Sequence, residues 1–329
     1  MGFEINFLGP KVKVEDTFVF DTKLWTTKDR LIMAPLHTLT EYGFRNAFIK
    51  AFPDSIDKIV APFISLSHGS TKSGNRKYRD VLKENNNHEI DLVPQVLGND
   101  INGIIEVANV LFSMGYKELN LNLGCPFKKI TNKNRGASLL KDTFWIENII
   151  KEIIDKTQIN ISLKLRLGYD TKDDIYRLIP IINSYPISKV IIHPRLGVDE
   201  YNSEVDLDCF EDVSKLIQKR IIYNGDIFKV EDFNKLKLRF PQINDWMIGR
   251  GLLYNPLLPS EIKGINYVDK KERFFAFHSL LVENVKSVNK LKEYWTYFAV
   301  GLSLEDKKLN QLLKSESIEE LNKLSIELL

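Results

Sequence analysis

The run Glu118-Leu119-Asn120-Leu121-Asn122-Leu123-Gly124-Cys125-Pro126 sets how the rest of the chain is read. Leucine alternates with a polar residue, which is the period of a strand. Gly124 and Pro126 then stop it on a rigid turn that carries a cysteine. Upstream, Asn102–Met114 has apolar residues at helical spacing, with Gly115 as its stop. Downstream comes a basic loop with Lys128, Lys129, Lys133 and Arg135. The amphipathic segment Phe144–Ile154 follows, with Asp142 as its cap, and then a second apolar run, Ile161–Leu167. Strand, helix and strand in this order describe a parallel βαβ unit.

The alternation continues in both directions. Strand-like runs occur at Leu31–Ala34, Lys58–Ile64, Ile90–Val96, Glu118–Leu123, Ile161–Leu167, Lys189–His193, Arg220–Tyr223 and Asp245–Ile248. The segment Thr171–Asn183 reads as a helix with acidic residues in its first turn, and Pro186 forbids its continuation. Eight such runs predict an α/β fold, a (β/α)8 TIM barrel. A doubly wound sheet is the rival, but no GxGxxG follows the first strand. Val12–Trp25 alternates like a hairpin that could close the barrel bottom. After Pro256 the strand pattern ends, and Arg273–Val288, Lys290–Leu302 and Ser317–Leu329 are amphipathic at helical period. The expected organisation is an N-terminal extension at 1–29, a barrel at 30–262 and a C-terminal helical domain at 263–329.

Of the 329 residues, 43% are hydrophobic and 27% charged, and the net charge is +2. The balance is that of a soluble globular protein, so any nucleic-acid surface must come from local clustering. Two cysteines are too few for a disulfide scaffold. Without a signal-like N-terminus or a bilayer-length apolar run, a cytoplasmic protein is expected. No His or Cys pair has metal-ligand spacing, so no metal is expected.

In a barrel, chemistry collects at the C-terminal strand ends. Lys164 and Arg166, two apart on one strand, point the same way and call for an anion. Asn224-Gly225-Asp226 and Gly249-Arg250-Gly251 end the seventh and eighth runs, where barrels hold phosphate on backbone N–H groups. Cys125 with an ordinary thiol pKa of about 8.5 keeps its proton at neutral pH and can donate it. The basic loop after it suits a polyanionic substrate. Lys72, Arg76, Lys77 and Arg79 form a second basic cluster. Cys209 within Leu207–Ile217, and Tyr294, Trp295, Tyr297 and Phe298, read as helix packing. His68, His88 and His278 receive no role.

The pieces in order resemble one family. Asn120 to Pro126, continuing through Arg135-Gly136-Ala137-Ser138-Leu139-Leu140-Lys141, is similar to the signature of tRNA dihydrouridine synthases. So are Met33-Ala34-Pro35 with Thr40, Phe44 and Arg45, the run Ser162 to Gly168, Ile192-His193-Pro194-Arg195, Tyr223 to Asp226, and Ile248 to Leu252. The resemblance implies an FMN-dependent enzyme that reduces D-loop uridine of tRNA to 5,6-dihydrouridine, with NADPH reloading the flavin. It implies FMN contacts from Pro35, Leu36, His37, Gln95, Lys164, His193, Asn224, Gly225, Asp226, Gly249 and Arg250. It implies uracil contacts from Asn122, Arg166 and His193, with Arg195 beside them. Cys125 would protonate C5 while hydride reaches C6. The helical tail resembles the family's tRNA-binding domain, and a monomer is expected. The chain departs from the family at Leu36-His37-Thr38, where Met, an acidic residue and Gly are usual, and at Phe127 and Asn134, where small residues are. The rival readings are another FMN barrel oxidoreductase acting on a small molecule and a non-catalytic RNA-binding relative.

Overall fold

A computed structural model describes residues 24–66, 75–86 and 90–328. Most of the expected hairpin, together with Lys72, His68 and His88, lies outside them. Eight strands form one closed barrel in chain order. They are β1 (Arg30–Met33), β2 (Lys58–Ser65), β3 (Asp91–Leu97), β4 (Glu118–Leu123), β5 (Asn160–Gly168), β6 (Lys189–Leu196), β7 (Arg220–Tyr223) and β8 (Asp245–Ile248). The doubly wound alternative is thereby excluded. By contact the chain forms two compact units, one built on Val96–Gly225 and one that joins the N-terminal strands to everything from Asp226 onward.

In the first unit, β4 to β7 pair in parallel. Along β5, Ile161, Leu163, Leu165 and Leu167 are buried, while Ser162, Lys164 and Arg166 occupy the alternate face. On β4, Leu119, Leu121 and Leu123 alternate with Asn120 and Asn122 in the same way. The register sets Asn120 beside Ser162 and Asn122 beside Lys164. The Asn120 amide donates to Ser162 Oγ at 2.9 Å, so this buried polar pair is satisfied. The apolar face is covered by three helices. These are α2 (Ile101–Ser113) through Ile104, Val107, Ala108 and Leu111, α4 (Thr143–Lys156) through Ile146, Ile149, Ile150 and Ile153, and α5 (Asp173–Ser184) through Ile175, Leu178, Ile179 and Ile182. Each set falls at i, i+3, i+4, i+7, one helical stripe. Asp142 caps α4 by accepting from Trp145 N at 2.9 Å, as expected. Cys209 is buried in α6 (Leu207–Leu216).

The second unit contains α1 (Tyr42–Ala51), which follows β1, the helices α7 (Val230–Arg239), α8 (Arg250–Tyr254) and α9 (Leu258–Lys263), and the C-terminal helices α10 (Lys270–Asn284), α11 (Val288–Gly301), α12 (Asp306–Leu313) and α13 (Ile318–Leu328). Phe44, Phe48 and Phe52 form one aromatic ridge on and just past α1. Phe277 of α10 meets it edge-on, 5.6 Å from Phe44 and 6.0 Å from Phe48. Tyr294 of α11 lies 5.2 Å from Phe44. Tyr294, Trp295 and Phe298 are buried, the packing role read from their spacing. Trp295 donates to His278 Nε2 at 3.1 Å, and burial pulls that imidazole down to about 4. No helix among the described residues is long and apolar enough to cross a membrane.

Candidate active site

Cys125 sits where β4 ends. The Oδ1 of Asn122 accepts from Gly124 N at 3.1 Å and from Cys125 N at 2.9 Å, an Asx-type closure that fixes the turn. Behind it, Gly136 has φ +60°, and a Cβ there would lie 2.5 Å from the Cys125 carbonyl oxygen. Only glycine meets both demands. Burial raises the Cys125 thiol above its ordinary value, against the pull of Arg166 and Lys164, so it stays protonated at neutral pH.

Lys164 has Asn122 as its registered neighbour on β4. The residue as a whole is half-buried. No described residue bonds or pairs with its amine. Desolvation by the surrounding protein, reinforced by the Arg166 cation, brings its pKa down to about 7. Arg166 does point the same way along β5, but its guanidinium is occupied. Nε donates to Gly124 O at 3.0 Å, and NH1 donates to Leu196 O at 2.8 Å and Glu200 O at 2.6 Å. It thus ties the cysteine turn to the segment after β6, and it lies 5.2 Å from the Tyr201 ring. Tyr201 was not read from the sequence, because only the tertiary fold brings it to Arg166. His193 and Arg195 follow on β6, both buried. Asn224 is buried just past β7, and Gly225 follows it. Asn122, Cys125, Lys164, Arg166, His193, Arg195, Asn224 and Gly225 all belong to the first unit.

In the second unit, Pro35, Leu36 and His37 follow β1. Thr40 closes their turn, its hydroxyl donating to Ala34 O at 2.9 Å and accepting from Leu36 N at 2.9 Å. His37 stacks on Phe63 at 4.4 Å. The turn after β1 is thus built on an aromatic stack and on Thr38 at φ 64°. Gly249 lies against Ala34 and Leu36. Arg250 opens the short helix α8 (Arg250–Tyr254) and donates to Asp226 at 2.7 Å. Sequence reading placed these two on adjacent loops of one phosphate site but did not foresee their pairing. Gln95 is fully buried on β3.

The two basic clusters fare differently. Lys128, Lys129 and Lys133 are exposed and make no ion pair among the described residues, and Lys128 and Lys129 lie on a helical turn, α3 (Lys128–Thr131). Arg135 instead is buried and donates to Asn99 at 3.2 Å. Lys77 and Arg79 line a groove of about 590 Å³ with Lys286, Lys290, Glu41 and Asp80.

A closed parallel barrel with buried cations and a protonated thiol at its strand ends has the arrangement of a barrel enzyme. A family model described as dihydrouridine synthase matches residues 32–314, and the chain belongs to that family. It is 27% identical over 263 residues to tRNA-dihydrouridine synthase B of Vibrio vulnificus, covering 79% of this chain and 78% of that one. It is 27% identical over 240 residues to tRNA-dihydrouridine(16) synthase of Pseudomonas syringae, covering 71% and 74%. The solved structure of TcOYE with pHBA shares the fold, with a TM-score of 0.53 at 12% identity over 85% of this chain and 96% of that one.

Proposed function

We propose that this chain reduces uridine in tRNA to 5,6-dihydrouridine with an FMN that NADPH reloads. The observation that carries the reading is the placement, in one unit, of an amine near pKa 7 that pairs with no described residue and a thiol held in its protonated form. A buried ammonium without a counter-ion is costly unless a ligand supplies an acceptor. The donor set therefore fits the electron-rich pyrimidine edge of a flavin. Bound and reduced, that flavin supplies the hydride for C6 of uracil.

The residues do the rest. Lys164 stabilises negative charge at the flavin edge, and its proton uptake strengthens that contact. Pro35, Leu36, His37 and Gln95 line the ring. Asn224, Gly225, Asp226, Gly249 and Arg250 hold the phosphate, with Arg250 held in place by Asp226. His193 belongs to the same cofactor shell. Asn122 and Arg166, with Arg195 beyond them, shape the uracil pocket. Cys125 donates its proton to C5, and the resulting thiolate is stabilised by the Arg166 and Lys164 cations. The target base must leave the tRNA stack to reach such a thiol. Lys128, Lys129 and Lys133, and the groove with Lys77, Arg79, Lys286 and Lys290, contact the tRNA backbone. Residues 263–329 act as the tRNA-binding domain beside the barrel domain at 30–262. The enzyme works as a monomer in the cytoplasm, where tRNA and NADPH meet, and this chemistry requires no metal.

The test uses purified full-length protein, FMN, NADPH and tRNA lacking dihydrouridine. Mass spectrometry reads the gain of two hydrogens at a D-loop uridine. Oxidation of NADPH with small enones or free uracil, and none with tRNA, would transfer the assignment to a small-molecule oxidoreductase.

A further inference from the structure

His193 and Arg195 lie two apart on β6, and their mutual geometry leaves little freedom. The Nδ1 of His193 is 2.7 Å from the carbonyl oxygen of Asn224. A carbonyl only accepts, so Nδ1 carries the proton. The NH1 of Arg195 is 3.2 Å from Nε2 of the same ring. A guanidinium only donates, so Nε2 presents its lone pair. The two contacts demand the same tautomer independently. Arg195 is itself anchored, donating from Nε to Ser203 O at 2.7 Å, and it is 2% exposed.

We infer that Arg195 is a positioning residue that holds His193 as a neutral ring protonated on Nδ1. A proton on Nε2 would set two donors face to face. It would also add a cation beside those already present. Lys164 and Arg166 face the ring from β5, Arg195 from its own strand, and the Tyr201 ring stands edge-on at 5.9 Å. Asn224 meets it from the end of β7. No carboxylate is among these groups, and burial opposes the charged ring further. Three consequences follow. His193 neither gives nor takes a proton during turnover, so it does not compete with Cys125 as the acid. Both its polar atoms are spent on the protein. Through the ring, Arg195 reaches the Asn224-Gly225 turn, so a side chain on β6 sets the shape of a loop after β7.

The tautomer stands on geometry alone, whereas the activity arm below rests on the proposed reaction, so the two can fail separately. The experiment is nitrogen NMR on full-length protein labelled at histidine, with and without FMN, the ring assigned by comparison with His193→Gln. Wild type should show a protonated Nδ1 and an unprotonated Nε2, unchanged from about pH 8.5 down to about pH 5.5, a span in which an ordinary histidine titrates. In Arg195→Met, Nε2 becomes free to protonate, and the ring should titrate about one pH unit or more higher than in wild type. The acid limb of tRNA turnover should move up by the same amount, which loss of packing alone would not cause. Arg195→Lys retains a donor and should preserve the wild-type pattern, which decides the matter if the methionine variant fails to fold. A wild-type ring protonated on Nε2, or one titrating near 6.5, overturns the inference, as does an Arg195→Met spectrum identical to wild type.

Discussion

The phenol of Tyr294, in the C-terminal helix α11, donates a 2.6 Å hydrogen bond to the carbonyl of Leu39, in the turn after β1. Thr40, the next residue, fixes the backbone of Ala34 and Leu36. One buried bond therefore joins the helical tail to the turn that bears Pro35, Leu36 and His37. Tyr294→Phe removes the donor and strands a buried carbonyl, at a cost of about 1–3 kcal/mol. Chemical denaturation should show that loss. FMN affinity should fall as well if the turn contacts the ring, while a tail that only binds RNA would leave affinity unchanged.

Cys125→Ala should retain FMN, since Asn122 holds the turn through the backbone N–H groups of Gly124 and Cys125, which alanine keeps. Turnover on tRNA should drop by about 10² to 10⁴, the usual range for losing a positioned acid. Single-turnover oxidation of the reduced enzyme by tRNA reads this directly, and an unchanged rate would remove the acid role.

Lys164 makes a signed pH prediction. Its folded-state pKa of about 7 lies below the 10.5 of a free lysine. Between those values the unfolded chain binds more protons, so this group makes the flavin-free protein more stable as pH rises from about 7 to about 10.5. Lys164→Met should flatten that rise in a series of unfolding curves. A bound anion favours the ammonium form, so FMN binding above pH 7 should take up protons. Calorimetry in buffers of different ionisation enthalpy would measure the uptake, and none at all would count against Lys164 as a flavin contact.

Arg250 separates phosphate from ring. If the Asp226–Arg250 pair holds the phosphate, Arg250→Met weakens FMN binding by roughly 1.5–3 kcal/mol, the worth of a charge-assisted bond, and leaves riboflavin affinity unchanged. Equal loss for both ligands would place Arg250 elsewhere in the site.

Much of this was legible because local pattern and tertiary role agree. The leucines of β4 and the isoleucines of α4 sit at the periods their environments demand, and Asp142 caps the helix it precedes. The helix α1 went unread, since its buried face is Phe44, Phe48 and Ala51 mixed with Gly43 and Arg45. The duties of Arg166 were also hidden. Its partners Gly124, Leu196 and Glu200 are 30 to 42 positions away, and all three are backbone carbonyls that no side-chain pattern announces. Arg135 illustrates the converse, a member of a basic run that the fold turns inward to Asn99.

The aromatic ridge of α1 limits how such a protein can change by recombination. Phe44, Phe48 and Phe52 are each at most 1% exposed, and Phe277 and Tyr294 supply part of that cover. A chain severed before α10 would present a bare phenylalanine patch to water, an invitation to aggregate. Exchange of the tail between relatives must therefore carry matching changes in α1, and the two segments are bound to be inherited together.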